Sequence, residues 1–209
     1  MNKMCRTTNQ TGRSMIEMLG VLAIIGVLSV GGIAGYSKAM MKFKINKTID
    51  QISQIVANTR TLYARQKDYR SISNKVMYKA NLAPKEMFED GSGSYGAVNS
   101  FGGDVEIGLS TKFSGSDMKA FAITYYGLPE EACIELATQD WGSDTSSGLI
   151  AIGVNSYGHT GVYLGCDGYF ANGYAIACSG GSQVSTPMPV DLAVDSCDGG
   201  NNKIYFKFY

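Results

Sequence analysis

Thr11-Gly-Arg-Ser-Met-Ile-Glu-Met-Leu-Gly-Val-Leu-Ala-Ile-Ile-Gly-Val-Leu-Ser-Val-Gly-Gly-Ile-Ala-Gly35 is the stretch that decides the fold of this chain. Between Met15 and Ala34 every residue is apolar, small or hydroxylic except Glu17. About 20 helical residues, each rising 1.5 Å, cross a hydrocarbon core of about 30 Å. The sequence therefore predicts a long apolar helix in which residues 15–35 span a membrane.

Glu17 is an acid close to the start of this apolar run. A carboxylate inside a membrane-spanning segment is costly, so such a residue is by default a candidate functional site. A nearby cation would offset the cost. Cleavage of the bond after Gly12 would supply one, because Arg13 then becomes a new N-terminus about one helical turn from Glu17. The same α-ammonium could instead serve Glu17 of a neighbouring chain.

These residues resemble the prepilin signature of type IV pilins. The resemblance is carried by Gly12, the aliphatic pair Met15-Ile16, Glu17 and the unbroken apolar helix. It implies cleavage between Gly12 and Arg13 by a membrane aspartyl prepilin peptidase that also methylates the new N-terminus. It also implies that Glu17 guides filament assembly. The first mature residue in the family is usually Phe, Met or Leu, whereas here it would be Arg13.

Two other interpretations of the apolar run remain open. A secretory signal peptide has a shorter apolar core followed by a small-residue cleavage site, which residues 29–35 could imitate. A plain signal anchor with a chance glutamate is the second. Under the prepilin interpretation, residues 1–12 form a short leader, and the precursor lies in the bacterial inner membrane with its N-terminus in the cytoplasm.

A second helical pattern follows the apolar run without a proline between them. Apolar residues recur with the 3.6-residue period of one amphipathic face: Met41, Ile45, Ile49, Ile52, Val56 and Tyr63. One long helix is therefore predicted over residues 13–70, with a membrane half and a soluble half. Gly31 and Gly32 lie where similar pilins lose helical structure in filaments, so we expect helix there in an isolated subunit and extended chain in a filament.

The cysteines predict disulfides in an exported protein. The chain has five: Cys5, Cys133, Cys166, Cys178 and Cys197. Cleavage after Gly12 removes Cys5 and leaves an even number, as expected in an oxidising compartment. Three connectivities are possible. We favour Cys133–Cys197, which would clamp the C-terminal segment, and Cys166–Cys178, which would close a strand-rich loop. The absence of a C-x-x-C pair argues against structural zinc.

The rest of the sequence predicts a connecting region over residues 71–104 and a β-rich domain over 105–209. Pro129 and the two acids after it predict a short helix within Leu128–Gln139. Strand patterns occur at Val105–Leu109, Phe121–Tyr125, Leu149–Val154, Tyr169–Ile176 and Lys203–Tyr209. The predicted fold is α+β, with the long N-terminal helix packed on an antiparallel sheet that carries two disulfides.

This second half resembles type IVb pilins, particularly the plasmid thin-pilus and enteric colonisation pilins. The resemblance is carried by the helix Leu128-Pro-x-x-x-Cys133, which Trp141 follows.

Several function classes are not indicated. Eighteen Lys and Arg balance 18 Asp and Glu, so the basic footprint of a nucleic-acid binder is missing. His159 is the only histidine, and no nucleophile, base and acid can be assembled around it. We expect no enzyme activity, cofactor or metal. Two weak motifs are explained as turns. One is a G-x-G-x-x-G match formed by Gly91, Gly93 and Gly96. The other is an acidic loop that misses the EF-hand spacing, formed by Asp195, Asp198 and Asn201.

The sequence therefore predicts the structural subunit of a type IV pilus, which polymerises through its N-terminal helix into an extracellular filament for attachment or conjugation. Its expected partners are identical subunits, prepilin peptidase and the pilus assembly machinery. Alternatives within the same class are a minor pilin and a type II secretion pseudopilin. An alternative of another class is a membrane-anchored binding domain that never polymerises and uses its tyrosines as a ligand surface.

Overall fold

The first helix dominates the structure, which is a computed structural model. It describes residues 15–88, 95–110, 119–142, 147–155 and 187–209, and the backbone of 175–178. The chain divides into two compact units, Met1–Lys42 and Phe43–Tyr209. Helix α1, Met15–Tyr63, runs through the end of the first and into the second. The predicted long helix is therefore present, but it ends at Tyr63 and does not reach residue 70.

A turn after α1 explains the early end. The Gln66 amide donates to the Tyr63 carbonyl oxygen at 2.8 Å. The ring of Tyr69 then lies 5.1 Å from the Tyr63 ring and 5.0 Å from the Phe121 ring, measured between centroids. No proline or glycine lies between residues 64 and 70. The helix boundary is thus set by packing against Phe121, a residue distant in sequence.

The described part of the second unit contains three further α-helices, a short 3₁₀ helix and a six-stranded sheet. They are α2 (Asn74–Lys79), the 3₁₀ helix (Lys85–Met87), β1 (Ala97–Val98), β2 (Asp104–Ser110), β3 (Ala120–Leu128), α3 (Glu130–Thr138), β4 (Leu149–Val154), β5 (Ala175–Cys178), α4 (Val190–Ser196) and β6 (Asn202–Phe208).

The strand patterns of the sequence locate most of this sheet. β2 and β3 extend the predicted strands, β6 is shifted by one residue toward the N-terminus, and β4 has the predicted bounds. The prediction Tyr169–Ile176 overlaps β5 only at residues 175 and 176, and its first six residues lie outside those described. All neighbouring strands are antiparallel, in the order β1-β2-β3-β6-β4-β5. The C-terminal strand β6 therefore lies in the middle of the sheet.

Two parts of the prediction need correction. The region 71–104 is not only a loop, because it contains α2, the 3₁₀ helix and β1. Ser73 caps α2 by accepting a hydrogen bond from the Val76 amide at 3.4 Å, but six residues are too few for a periodic pattern. Helix α4 was not predicted at all. Its start nevertheless has the features used to predict α3, a proline followed by an acid: Pro189 and Asp191.

Side chains from both the helices and the strands form the core of the second unit. Phe121, Ile123 and Tyr125 alternate along β3 and are fully buried, as expected for one face of a strand. The rings of Phe121 and Phe208 stack with centroids 5.8 Å apart. The Arg60 guanidinium of α1 donates to the Ser147 carbonyl oxygen at 2.8 Å, so α1 is tied directly to the chain that enters β4.

Candidate functional site

The N-terminal part of α1 is an apolar surface that the subunit does not cover. Every residue from 15 to 39 is exposed, including Met15 at 84% and Ile16 at 77%. An 18-residue window of α1 has a mean hydropathy of 2.2, and none of it is buried. Among the described residues, α1 is the one helix long and apolar enough to cross a membrane.

The predicted assembly residue lies at the start of this surface. Glu17 occupies the first turn of α1 and is exposed. Gly12 and Arg13, the predicted cleavage pair, lie outside the described residues. Gly31 and Gly32 lie within α1, which runs through them without a break. A Cβ added at either glycine would meet no atom within 4 Å.

The second part of α1 buries a different set of residues from the predicted stripe. Ile45, Ile52 and Tyr63 are buried as predicted, while Met41, Ile49 and Val56 are only half-buried. The missed members are Ile55 and three polar residues, Thr48, Gln51 and Thr59. The Thr48 hydroxyl donates to the Lys44 carbonyl oxygen at 2.9 Å, which lets it be buried. Counting threonine as a possible core residue would have found this face.

A disulfide joins the two short helices of the second unit. Cys133 of α3 and Cys197, directly after α4, form the predicted bridge, with their Cα atoms 5.9 Å apart. The two cysteines are 64 positions apart in the sequence. In the chain-entropy account, a disulfide that closes a long loop stabilises the folded state more than one that closes a short loop. Cys166 and the side chain of Cys178 lie outside the described residues. The second predicted bridge therefore stays a prediction.

A buried asparagine fixes the chain beside this bridge. Asn202 is fully buried. Its Oδ1 accepts hydrogen bonds from the Asp198 amide at 2.8 Å and from the Asn155 side chain at 2.9 Å, and its Nδ2 donates to the Leu128 carbonyl oxygen at 3.2 Å. The predicted turn before β6 is thus held by side-chain hydrogen bonds. Within the described ranges, no group of three or more His, Cys, Asp or Glu could hold a metal.

A polar trio crosses β2, β3 and β6 on the face of the sheet opposite Phe121. The Tyr126 hydroxyl donates to the Glu106 carboxylate at 2.9 Å, and Lys203 Nζ lies 5.5 Å from the centroid of the Tyr126 ring. Burial, aided by Glu106, raises the pKa of Tyr126. Burial also lowers the pKa of Lys203, against the attraction of Glu106. Tyr126 therefore stays a neutral donor at physiological pH.

The sequence of this chain matches one protein-family model over most of its length. The family model described as Bundlin matches residues 38–183. The chain belongs to the bundlin family. The match covers most of the second unit, including α3. The residues that resemble the prepilin signature, from Gly12 to Glu17, lie before the matched range.

Two proteins and one solved structure place the bundlin family match in context. The chain is 23% identical over 205 residues to the major structural subunit of bundle-forming pilus from Escherichia coli O127:H6, covering 98% of both chains. It is 29% identical over 140 residues to the toxin coregulated pilin of Vibrio cholerae, covering 64% of this chain and 59% of that one. The crystal structure of TcpA, a type IV pilin from Vibrio cholerae, superposes with a TM-score of 0.50 at 14% identity, over 79% of this chain and 99% of that one.

The resemblance to pilins is thus confirmed by the family match, and the α+β fold is confirmed by the structure. Trp141, one of the residues that carried the resemblance, packs its ring on Phe206 with centroids 4.9 Å apart and donates its indole hydrogen to the Leu136 carbonyl oxygen at 2.9 Å. His159, Gly91 and Gly93 lie outside the described residues.

Proposed function

We propose that this chain is the precursor of a type IV pilus subunit that is cut after Gly12 and polymerises through α1. The observation that carries the proposal is membership of the bundlin family, whose relatives include major pilus subunits. The exposed apolar surface of α1 supports it independently, since such a surface requires an apolar environment outside the subunit.

The apolar part of α1 can find an apolar environment at two stages, first in the membrane and then in the filament. Fully burying one Leu, Ile or Met side chain is worth about 1.5–3 kcal/mol, so a helix with many of them is strongly driven out of water. In the precursor the inner membrane covers this surface. In the filament the same surface is buried among the helices of neighbouring subunits, so assembly never exposes it to water.

Glu17 supplies the specificity that apolar contacts lack. Once the bond after Gly12 is cut, Arg13 carries an α-ammonium, and in the filament Glu17 pairs with that group of a neighbouring subunit. A desolvated charge pair contributes little net stability, but an incorrect register leaves a buried charge without a partner. The pair therefore selects one axial register. The prepilin peptidase and the assembly machinery are the partners that this route requires.

The disulfide of the second unit is consistent with a place in an extracellular filament. A structural disulfide persists in an oxidising environment, and the Cys133–Cys197 bridge holds α4 and the chain that enters β6. Because β6 lies between β3 and β4, holding its entry also holds the centre of the sheet.

Intact-mass spectrometry of the protein from its native cell tests the proposal. The expected result is a chain that begins at Arg13 and forms the bulk of sheared filaments. A chain that begins at Met1 and stays in the membrane fraction contradicts the proposal and supports a non-polymerising anchored domain. A cleaved chain that is scarce in sheared filaments identifies a minor pilin or a pseudopilin.

A further inference from the structure

Two short helices of the second unit carry exposed charge pairs of opposite sign. On α2, Lys75 and Lys79 are exposed and spaced four residues apart. On α4, Asp191 and Asp195 are exposed with the same spacing. Residues four apart on a helix lie on one face, with Cβ atoms about 5–6 Å apart. The two faces therefore carry pairs of opposite charge at matching separations.

Each pair lies beside exposed apolar or aromatic surface. Val190 and Val194, on the same face of α4 as the two acids, are 64% and 48% exposed. On α2, Tyr78 lies between the two lysines and is 39% exposed. The opposite side of α4 is buried through Ala193 and Ser196, so the face that carries the acids and valines is the outward one.

The surface around α2 is firmly held. The Tyr78 ring lies 5.3 Å from the Phe88 ring and 5.7 Å from the Tyr95 ring. Lys75 and Lys79 each place Nζ 6.0 Å from the centroid of the Tyr95 ring. Rigid aromatic side chains lose little entropy on binding, which is one reason why tyrosine is enriched at the centres of protein interfaces.

An open cleft of about 390 Å³ lies next to α2 and is lined by Lys75, Tyr95, Asp104 and Glu106, among others. The two acids on its β2 wall would repel an incoming carboxylate. Carboxylates that bind to Lys75 and Lys79 therefore approach from the outward side of α2, where Tyr78 is exposed.

The sheet places these two helices far apart in one subunit. α2 packs on β2, and α4 packs on β5. Three strands separate β2 from β5 in the sheet, which corresponds to about 19 Å at the usual strand spacing. In the part of the chain that the structure describes, Asp191 and Asp195 have no ion-pair partner. The acidic and basic faces therefore satisfy each other only between two copies.

We propose that α4 of one subunit docks on the outward face of α2 of the next subunit, with Asp191 and Asp195 facing Lys75 and Lys79 and with the two valines against Tyr78. A contact between different surfaces of identical copies is head-to-tail, and it generates an open helical array unless the rotation closes a ring. The inference rests on the proposed polymerisation and names the domain contact that accompanies packing of α1.

Charge reversal tests the contact in the native cell. The two variants are D191K/D195K and K75E/K79E, each compared with R65E/K67E, which reverses two exposed basic residues that belong to neither helix. Like charges across the contact are expected to lower the yield of sheared filaments at least about tenfold in either test variant. The amount of cleaved subunit in the membrane should match wild type, and the control should assemble normally.

Expression of both test variants in one cell is the decisive step. In an alternating array each reversed α4 meets a reversed α2, and each native α4 meets a native α2. Filament yield should therefore return to within about twofold of wild type. Normal assembly of either variant alone, no recovery in the mixture, or an equal loss in R65E/K67E would each overturn the inference. Uncleaved wild-type chain would instead contradict the proposed function.

Cross-linking gives a second measurement that does not depend on charge. In a chain that carries both Tyr78→Cys and Val194→Cys, mild oxidation of sheared filaments should produce a ladder of disulfide-linked multimers, because each copy contacts two neighbours. Each single-cysteine variant should stay monomeric on a non-reducing gel. Monomers alone from the double variant would overturn the inference.

Discussion

The two parts of α1 reverse the usual rule for which residues are buried. In the first part Ile16 is 77% exposed, whereas in the second part Thr48 and Thr59 are completely buried. Both parts belong to one continuous helix, so local conformation does not explain the contrast. The difference is what lies next to each: Met77 and neighbouring residues of the same subunit cover the second part, and nothing described in this chain covers the first.

The first part of α1 is therefore adapted to surroundings that the subunit does not supply. Apolar surface in water costs about 25 cal/mol per Å², and a soluble domain rarely exposes large contiguous patches of it. In the second part, polar side chains are tolerated because the helix itself can accept their hydrogen bonds, as the Lys44 carbonyl does for Thr48.

Glu17→Ala should have the largest effect, and it should affect assembly alone. In the proposed filament, removing the carboxylate would leave the neighbour's α-ammonium buried without a partner, which costs about 3–5 kcal/mol per contact. We expect filament yield to fall at least about tenfold, with cleavage and membrane insertion unchanged, as measured by shearing and by the amount of processed subunit. Glu17→Asp keeps the charge and should retain more filaments. Normal piliation in Glu17→Ala would show that this residue has no role in assembly.

Ile52→Ala and Ile24→Ala compare the same change in the two parts of α1. Ile52 is fully buried and Ile24 is 63% exposed. We expect Ile52→Ala to lower the free energy of unfolding of the domain by about 2–5 kcal/mol, and Ile24→Ala to leave it unchanged. Trp141 is the only tryptophan, so its fluorescence during urea unfolding of the detergent-solubilised subunit reports the domain. Equal losses in both variants would refute the division of α1.

Gly103→Ala and Gly32→Ala extend the comparison to glycine. A Cβ at Gly103 would overlap the Tyr126 carbonyl oxygen, a backbone atom, whereas one at Gly32 meets open space. We expect Gly103→Ala to cost about 1–3 kcal/mol of domain stability. Gly32→Ala should favour helix locally by about 1 kcal/mol and leave urea unfolding of the domain unaltered.

The same Gly32→Ala variant also tests the weak point expected from the family resemblance. If the filament requires extended chain at this position, a more stable helix should reduce filament yield in shearing assays. An unchanged yield would remove Gly32 from the assembly pathway.

Tyr125→Phe should have the smallest effect, and it is expected to stabilise. Within the described ranges, the fully buried Tyr125 hydroxyl has no hydrogen-bond partner, so its removal should raise the free energy of unfolding by about 1 kcal/mol at pH 7. Tyr63→Phe is the contrasting control, because the Tyr63 hydroxyl is 3.1 Å from Ser71 Oγ. That variant should lose stability.

Tyr125 also predicts a pH dependence. Burial raises the pKa of Tyr125, so the folded state holds the phenolic proton more tightly than the unfolded state. Below the ordinary tyrosine pKa of about 10 the phenol is protonated in both states and stability does not depend on it through pH, whereas stability falls as pH rises above that value. Urea titrations at pH 7 and above pH 10 should show a steeper loss in wild type than in Tyr125→Phe. Parallel losses would contradict this.

Much of the fold could be predicted because its patterns are local. The apolar run, the strand patterns of β2, β3, β4 and β6, and the proline and acids of α3 each follow from neighbouring residues. The parts that failed depend on distant contacts. Tyr69 leaves the helix because its ring packs on Phe121, and the buried face of α1 includes Thr59 because its hydroxyl meets the sulfur of Met77 at 3.8 Å.

The sequence by itself determined that this chain has an uncovered apolar helix with one acid, a cysteine pair that could clamp its end, and a β-rich domain. Periodicity, composition and spacing are sufficient for those conclusions. The central position of β6 in the sheet, and the packing of α2 near one edge and of α4 near the other, became clear only from the tertiary structure. Those placements depend on which strands pair, and strand pairing is decided by contacts between residues far apart in the chain.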